Sequence, residues 1–269
     1  MRLVNLDTWP RREQFNTFGA WDHPHFAMCA NVDVTAFYPL VKQMGASFTV
    51  ATVYMLARAA NSIPEFRYRT RPGGVVEHEI VHTSTTILTK EELFSFCTIE
   101  YAEHFSSFAT RAAAQIAHVQ EHPTLQNEPG RDDLLFMAAI PWVSFTSFMH
   151  PLHLHPADSV PRFARGKSFE EGGSLRMPLS VQGYHALMDG LHIGKFYEEL
   201  QGYLRNAGPI LDEWSGRSLA TRWSDPSQQR RTGKCGSECG WPGSFPHRNA
   251  GTFGHKEQEL RPAQYAGSR

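Results

Sequence analysis

The chain has 269 residues, a formal net charge of −1 and a hydrophobic fraction of 41%. That is enough apolar material for a sizeable core, and a near-neutral chain without a basic run argues against nucleic-acid binding. No window of eighteen apolar residues marks a transmembrane helix, and the N-terminus MRLVNLDTWPRREQF has neither an apolar signal core nor the composition of a transit peptide. The expected setting is cytoplasmic, with no membrane partner.

In chain order, Trp9 to Phe18 reads as a helix or turn with a basic face at Arg11 and Arg12. Phe26, Met28, Ala30, Val32 and Val34 alternate with Ala27, Cys29, Asn31 and Asp33, which predicts a strand. Thr35 is a good N-cap for a helix over Ala36 to Met44. Val50, Val53, Ala57 and Ala60 predict a helix over Thr49 to Ser62, stopped before Pro64. Short strands follow at Phe66 to Arg69, Gly74 to Val81, Ser84 to Thr89 and Phe94 to Glu100. Phe105, Phe108, Ala112, Ile116 and Val119 define a helix with a wide apolar stripe. Asn127 to Asp133 is polar loop. Leu134 to Ile140 and the following PWVSFTSF form a candidate strand pair, whereas His150 to Ala164 carries no clear pattern.

The stretch Leu175 to Leu204 organises the rest. Leu175, Met177, Leu179 and Val181 alternate as a strand, with Pro178 suggesting a bulge or a strand end. Ile193, Phe196, Leu200, Tyr203 and Leu204 repeat at helical spacing. Between them lie His185, Asp189 and Gly190, the glycine expected to supply backbone freedom at the corner. From about Ser215 onward the chain is rich in Gly, Ser, Arg, Gln and Pro. A folded domain over 1–208 and a disordered tail over 209–269 are expected. Strands alternating with single helices predict an α/β protein on a mixed sheet.

A histidine at a strand-to-helix corner can accept and return a proton near neutral pH, with Asp189 to orient or balance it. The plainer alternative is a loop histidine followed by a helix-capping aspartate. Ser144, Thr146 and Ser147 sit among aromatics, where a hydroxyl can donate to an oxyanion or simply satisfy backbone. His150, His153 and His155 lack ordinary zinc spacing. Cys235 and Cys239 form a lone C-x3-C pair and, with Cys29 and Cys97, are too sparse for a disulfide framework, so no metal is expected. Neither G-x-S-x-G nor a P-loop is present.

The run Gln182-Gly-Tyr-His185-Ala-Leu-Met-Asp189-Gly190-Leu-His192 resembles the signature loop of the classical trimeric chloramphenicol acetyltransferases. Trp9-Pro-Arg11-Arg12-Glu13-Gln-Phe15, Ile63-Pro-Glu-Phe-Arg-Tyr-Arg69, Glu92-Leu-Phe-Ser-Phe96 and Pro141-Trp-Val-Ser-Phe-Thr-Ser-Phe148 resemble other motifs of that family, in the same order. The resemblance spans Met1 to about Leu204. It implies a two-layer α/β sandwich of the CoA-dependent acyltransferase fold. It also implies acetyl transfer from acetyl-CoA, a co-substrate and not a bound cofactor, to a hydroxyl of chloramphenicol or a related amphenicol. His185 would be the general base, Ser147 the oxyanion donor, and Asp189 the structural partner of Arg11. Phe18, Phe26, Phe94 and Phe148 would line the acceptor pocket, and Lys167 would lie near the CoA. A homotrimer is implied, with sites at subunit interfaces. The chain departs from the family pattern at Tyr184, a usual His, and Met188, a usual Cys. His150 and Arg162 stand at usually aliphatic positions, and Ala164 at a usual Thr. The other readings are an acyltransferase for a different acceptor, a dihydrolipoamide acyltransferase core and a non-catalytic small-molecule-binding homologue.

Overall fold

The computed structural model of the chain describes residues 1–126 and 128–211. The expected tail beyond residue 211, with Cys235 and Cys239, lies outside the described residues. In chain order the elements are β1 (Arg2–Leu3), α1 (Arg12–Gly19), β2 (His25–Asp33), α2 (Phe37–Gln43), α3 (Phe48–Asn61) and a 3-10 turn (Pro64–Arg67). Then come β3 (Tyr68–Arg71), β4 (Gly74–Glu77), β5 (His82–Leu88), β6 (Phe94–Ile99), α4 (Phe105–Glu121), β7 (Leu134–Ile140) and β8 (Arg162–Gly166). β9 (Phe169–Glu171), β10 (Ser174–Tyr184), α5 (Gly190–Arg205) and α6 (Ala207–Leu211) complete the set.

The main sheet runs β2-β10-β8-β7-β5-β6, with β9 paired to β10. It is mixed, since β7 is parallel to both β5 and β8 while the other pairings are antiparallel. A separate antiparallel sheet, β1-β4-β3, flanks it. One face of the main sheet, carrying Val32, Leu179, Val181, Phe163, Leu135, Met137 and Ile99, merges with α3, α4 and α5 into one core. Among the described residues, the other face carries no helix. There Phe96, Phe136, Ala138 and Ile140 are only half-buried. This is a two-layer α/β sandwich on a mixed sheet.

Local chemistry explains most of the element limits. Ser47 accepts the Val50 N–H and caps α3. Pro64 holds Ile63 extended and ends the run after α3. The buried stripe of α4 is Phe105, Phe108, Ala109, Ala112, Ile116 and Val119. Thr35, expected to cap α2, instead accepts the Leu175 N–H, and the Ala36 position makes no side-chain cap. Its hydroxyl serves the sheet, which offered a stronger partner. Phe66 belongs to the 3-10 turn and not to a strand; its ring packs on Phe163 and Phe196. Pro178 makes neither bulge nor end: the β10–β2 register passes through it from Arg176–Asp33 to Tyr184–His25 without a slip. On the other edge β9 pairs residues 174–176 and β8 pairs 179–182, so Pro178 falls between two partner strands. Residues 141–148, expected as a strand, form an irregular segment after β7. The expected domain end at residue 208 falls inside α6, whose Leu211 is fully buried.

Arg69 joins the two sheets. Its side chain is fully buried and donates to the carbonyls of Asp132, Phe66, Tyr68 and Leu134 at 2.6–2.9 Å. Burial lowers its pKa to about 10 against the opposing pull of Asp132, Asp158 and Asp133, so it stays charged at neutral pH. Replacing Arg69 with Met is expected to strand these carbonyls and cost roughly 3–5 kcal/mol, read as a lower urea midpoint. Arg69→Lys should recover little, because an ammonium cannot fork to four acceptors. An unchanged midpoint in Arg69→Met would refute this role.

Candidate active site

β10 ends at Tyr184, and the chain turns at once into a single helical turn. The N–H groups of Leu187 and Met188 both bond the Tyr184 carbonyl. This aims the Met188 carbonyl back at the His185 ring, 3.1 Å from Nδ1. A carbonyl only accepts, so Nδ1 carries the proton in this bond and the neutral ring leaves Nε2 as the free lone pair. The His185 N–H donates to the Pro24 carbonyl at 2.7 Å, and its own carbonyl accepts from Arg11 Nη2 at 3.3 Å. Phe18 stacks on the imidazole with ring centroids 3.8 Å apart and planes 6° apart, and Phe26 lies against it at 4.7 Å. The ring is therefore held at its backbone, at one nitrogen and on its flat side.

The turn fits closely under β10. A Cβ at Gly183 would collide with the Met188 thioether, so this is the glycine that the corner requires. Gly190, expected to play that part, simply opens α5 without a left-handed backbone. Tyr184 is buried in a small apolar cluster with Val75, Ala186 and Leu187, onto which Val4, Leu6, Trp9 and Phe15 pack. That cluster docks the N-terminal segment beside the corner.

Asp189 caps α5. Its Oδ1 accepts the Leu191 N–H at 3.0 Å, and His192 Nδ1 accepts the Asp189 N–H at 3.1 Å, which closes a capping box. Its Oδ2 takes a 2.6 Å hydrogen bond from Arg11 Nη1. Burial pushes the Asp189 carboxyl up, but the Arg11 hydrogen bond, the His192 and Arg11 charges and the Leu191 N–H outweigh it and hold it below the usual carboxylate value. His192 Nε2 reaches Glu65 Oε1 at 3.3 Å. Burial pushes the His192 pKa down against Glu65 and Asp189. The sequence offered Glu65 and His192 only as members of two motifs; their meeting needs the tertiary fold.

The other candidates lie elsewhere in the chain. The Phe148 carbonyl accepts from Ser180 Oγ, and the His150 N–H donates to Gln182 Oε1, both at 2.8 Å. Segment 147–150 thus runs alongside β10 in the same direction, on the face without helices. Ser147 lies level with Leu179 or Ser180, so at 3.3 Å per residue it is about 15–20 Å short of His185. It is exposed. Phe148 packs with Phe145 and His150. Phe94 is exposed on β6, five strand spacings from Phe26, or about 24 Å. Lys167 follows β8 and is exposed; its N–H bonds Val143 and its carbonyl accepts from Ser144. The candidate residues therefore fall in separate places on one chain. His185, Phe18 and Phe26 are at one end of the sheet, Ser147 and Phe148 run along its open face, Lys167 lies just past β8, and Phe94 is on the far edge. Among the described residues, no three His, Cys, Asp or Glu side chains converge as a metal site, and no helix is long and apolar enough to cross a membrane.

Comparison with known proteins agrees over this same length. The family model for chloramphenicol acetyltransferase matches residues 1–201. A chloramphenicol acetyltransferase of Klebsiella sp is 33% identical over 216 residues, covering 79% of this chain and 94% of the relative. One from Bacillus pumilus is 31% identical, covering 79% and 96%. A solved chloramphenicol acetyltransferase superposes with a TM-score of 0.68 at 26% identity, spanning 76% of this chain and 99% of the other. The dihydrolipoamide acetyltransferase of Azotobacter vinelandii shares the fold, at 17% identity and a TM-score of 0.53 over 74% of this chain and 88% of the other. Fold, motif order and similarity over most of both chains together make this chain a member of the chloramphenicol acetyltransferase family of acyltransferase enzymes.

Proposed function

We propose that the chain transfers the acetyl group of acetyl-CoA to a hydroxyl of chloramphenicol or a related amphenicol. The observation that carries this reading is the His185 ring, with Nδ1 tied to the Met188 carbonyl and its face on Phe18, leaving Nε2 as a base of fixed direction. A hydroxyl is far too weak an acid to ionise unaided, so its proton must leave as the new bond forms. Nε2 takes that proton, and the acceptor oxygen attacks the thioester carbonyl. The tetrahedral oxyanion takes a hydrogen bond from the Ser147 hydroxyl. Collapse breaks the C–S bond, and the departing thiolate takes the proton back from the imidazolium. The products are an acetyl ester and free CoA.

A single chain holds Ser147 too far from its own His185 for this sequence of steps. The complete site therefore combines His185, Phe18 and Phe26 of one copy with Ser147, Phe148 and Phe94 of another. Lys167, exposed near Ser144, lies within reach of the CoA on that second copy. The half-buried apolar face of the main sheet suits burial between copies in a closed ring, and we assign a homotrimer. Arg11 and Asp189 act as positioning residues: the ion pair ties α1 to the cap of α5 and steadies the turn between them.

Three measurements test this. Purified protein given acetyl-CoA and chloramphenicol should release free thiol, and His185→Ala should abolish the release; a silent wild type sinks the reading. His185→Ala and Ser147→Ala proteins, unfolded together and refolded as mixed rings, should regain up to about one quarter of wild-type activity, since a head-to-tail ring then contains some intact pairs. No recovery would place both residues in one chain's site. Finally, Asp189 is depressed in the fold, so its stabilising effect is complete above its unfolded pKa of about 4 and is lost as pH falls through the lower folded value. Melting temperature should therefore fall less on acidification in Asp189→Asn than in wild type, and equal pH slopes would remove the ion pair from the account.

A further inference from the structure

Among the described residues, the buried side-chain nitrogens without a hydrogen-bond partner fall into two groups. One consists of arginine Nε atoms at Arg11, Arg58, Arg67 and Arg176, whose guanidinium groups are engaged through their other nitrogens. The other is a pair, both ring nitrogens of His150 with Nε2 of Gln182; Nδ1 of His25, a ring bonded to the Asp158 carbonyl through Nε2, stands opposite Tyr184. An unpaired polar atom in the interior is costly, and several in one place are not accounted for by packing.

The sheet register explains how they come together. Gln182 pairs with Ala27 on β2 and with Arg162 on β8, and Arg162 pairs with Phe136 on β7, all on the face without helices. Gln182 is 2% exposed, and its Oε1 is taken by the His150 N–H. Its amide N–H groups are therefore left over, beside the His150 ring. Phe148 stands edge-on to that ring at 4.9 Å, and Phe136 lies under the Arg162 guanidinium at 5.0 Å. Arg162 itself is spent on the Asp158 carboxylate and the Val160 carbonyl. Burial and then the Arg162 charge push the His150 pKa down to about 4, against the Gln182 amide, so at neutral pH the ring is uncharged and offers one donor and one acceptor. His150 is three residues from Ser147, at most about 10 Å of extended chain and so about the length of a small acceptor molecule.

Resting on the acetyl-transfer reading above, we propose that His150 and Gln182 form a hydrogen-bonding subsite for an oxygen of the acceptor remote from the hydroxyl that is acetylated. The group it takes is neutral: a hydroxyl or a nitro oxygen. Arg162 is matched by Asp158 and His150 carries no charge, so an anion there would be buried without a counter-charge. Phe136 and Phe148 form the apolar flanks on which the flat part of the acceptor lies.

The test uses the full chain and steady-state kinetics with chloramphenicol, its analogue with hydrogen in place of the nitro group, and its analogue without the benzylic hydroxyl. His150→Leu should raise KM for chloramphenicol about 10-fold with a smaller change in kcat and none in KM for acetyl-CoA. The penalty should vanish for the one analogue that lacks the oxygen received by the subsite. His150→Gln, which keeps a donor and an acceptor, should recover most of the loss. Melting curves verify that each variant is folded. An equal penalty on every acceptor, or none on any, overturns the subsite while leaving acetyl transfer standing. Failure of the wild type to release thiol with every acceptor overturns the acetyl-transfer reading and the subsite with it.

Discussion

The ladder between β10 and its neighbours is the constraint from which the rest follows. β10 is held by β2 along nine paired positions and by β8 and β9 on its other side. Because side chains alternate, that register commits Leu179 and Val181 to the helical layer and Ser180 and Gln182 to the open face. A slip of one residue would exchange the two sets. The same register brings Tyr184 opposite His25 and ends the strand where His185 meets the Pro24 carbonyl. The direction of the imidazole is thus inherited from the sheet. Gly183 lets Met188 fold under the strand, and Met188 in turn supplies the carbonyl that selects the tautomer.

A strand end alone would leave that turn free to fray. The chain closes it from two sides. Arg11 sits at the N-cap of α1, held in place by the apolar cluster of Trp9, Phe15 and Tyr184, and reaches both Asp189 and the His185 carbonyl. Glu65 comes from the 3-10 turn and reaches His192, which completes the cap of α5. Asp189 is a third exposed, so its ion pair is worth more as geometry than as free energy. Oriented hydrogen bonds to one carboxylate, from a guanidinium and from a helix N-terminus, fix the position of the turn, even where solvent screens the charges.

Much of this was legible in the sequence wherever one periodicity acted alone. The α4 stripe, the alternation in β2 and the helical repeat of α5 needed no tertiary information. The misjudged places are those where a residue had two possible partners. Thr35 has the chemistry of a cap, yet the Leu175 N–H lay closer to hand across the sheet. Pro178 lacks a donor, but the gap between β8 and β9 accommodates it in an unbroken strand. Gly190 stood at the right corner, while the close approach fell at Gly183. Residues 141–148 alternate like a strand because aromatic and polar side chains each have a side to face, although their backbone bonds go to the Ile140 carbonyl, the Lys167 N–H and the Ser180 hydroxyl and form no strand ladder. At the site, the spacing of His185 and Asp189 was visible, but the separation of His185 from Ser147 was not. Distance between two motifs far apart in the chain is a property of the sheet order.

That separation changes what a substitution near the site can mean. In a site built inside one chain, every lining residue answers to the same core. Here the half carrying His185 is anchored to the N-terminal segment and α5, and the half carrying Ser147, Phe148 and His150 is anchored to the open face of β10 and β8. On the proposed reading the two halves meet only between copies and can vary independently. Polar side chains such as His150, Gln182 and Arg162 can therefore enter the open face, with Asp158 and the Val160 carbonyl holding the arginine, without disturbing the base or its turn. On the proposed reading the base belongs to one half, and the oxyanion donor with much of the acceptor wall to the other, so a chain of this family can keep the base and its turn while the face around Ser147 is rebuilt for a more polar acceptor.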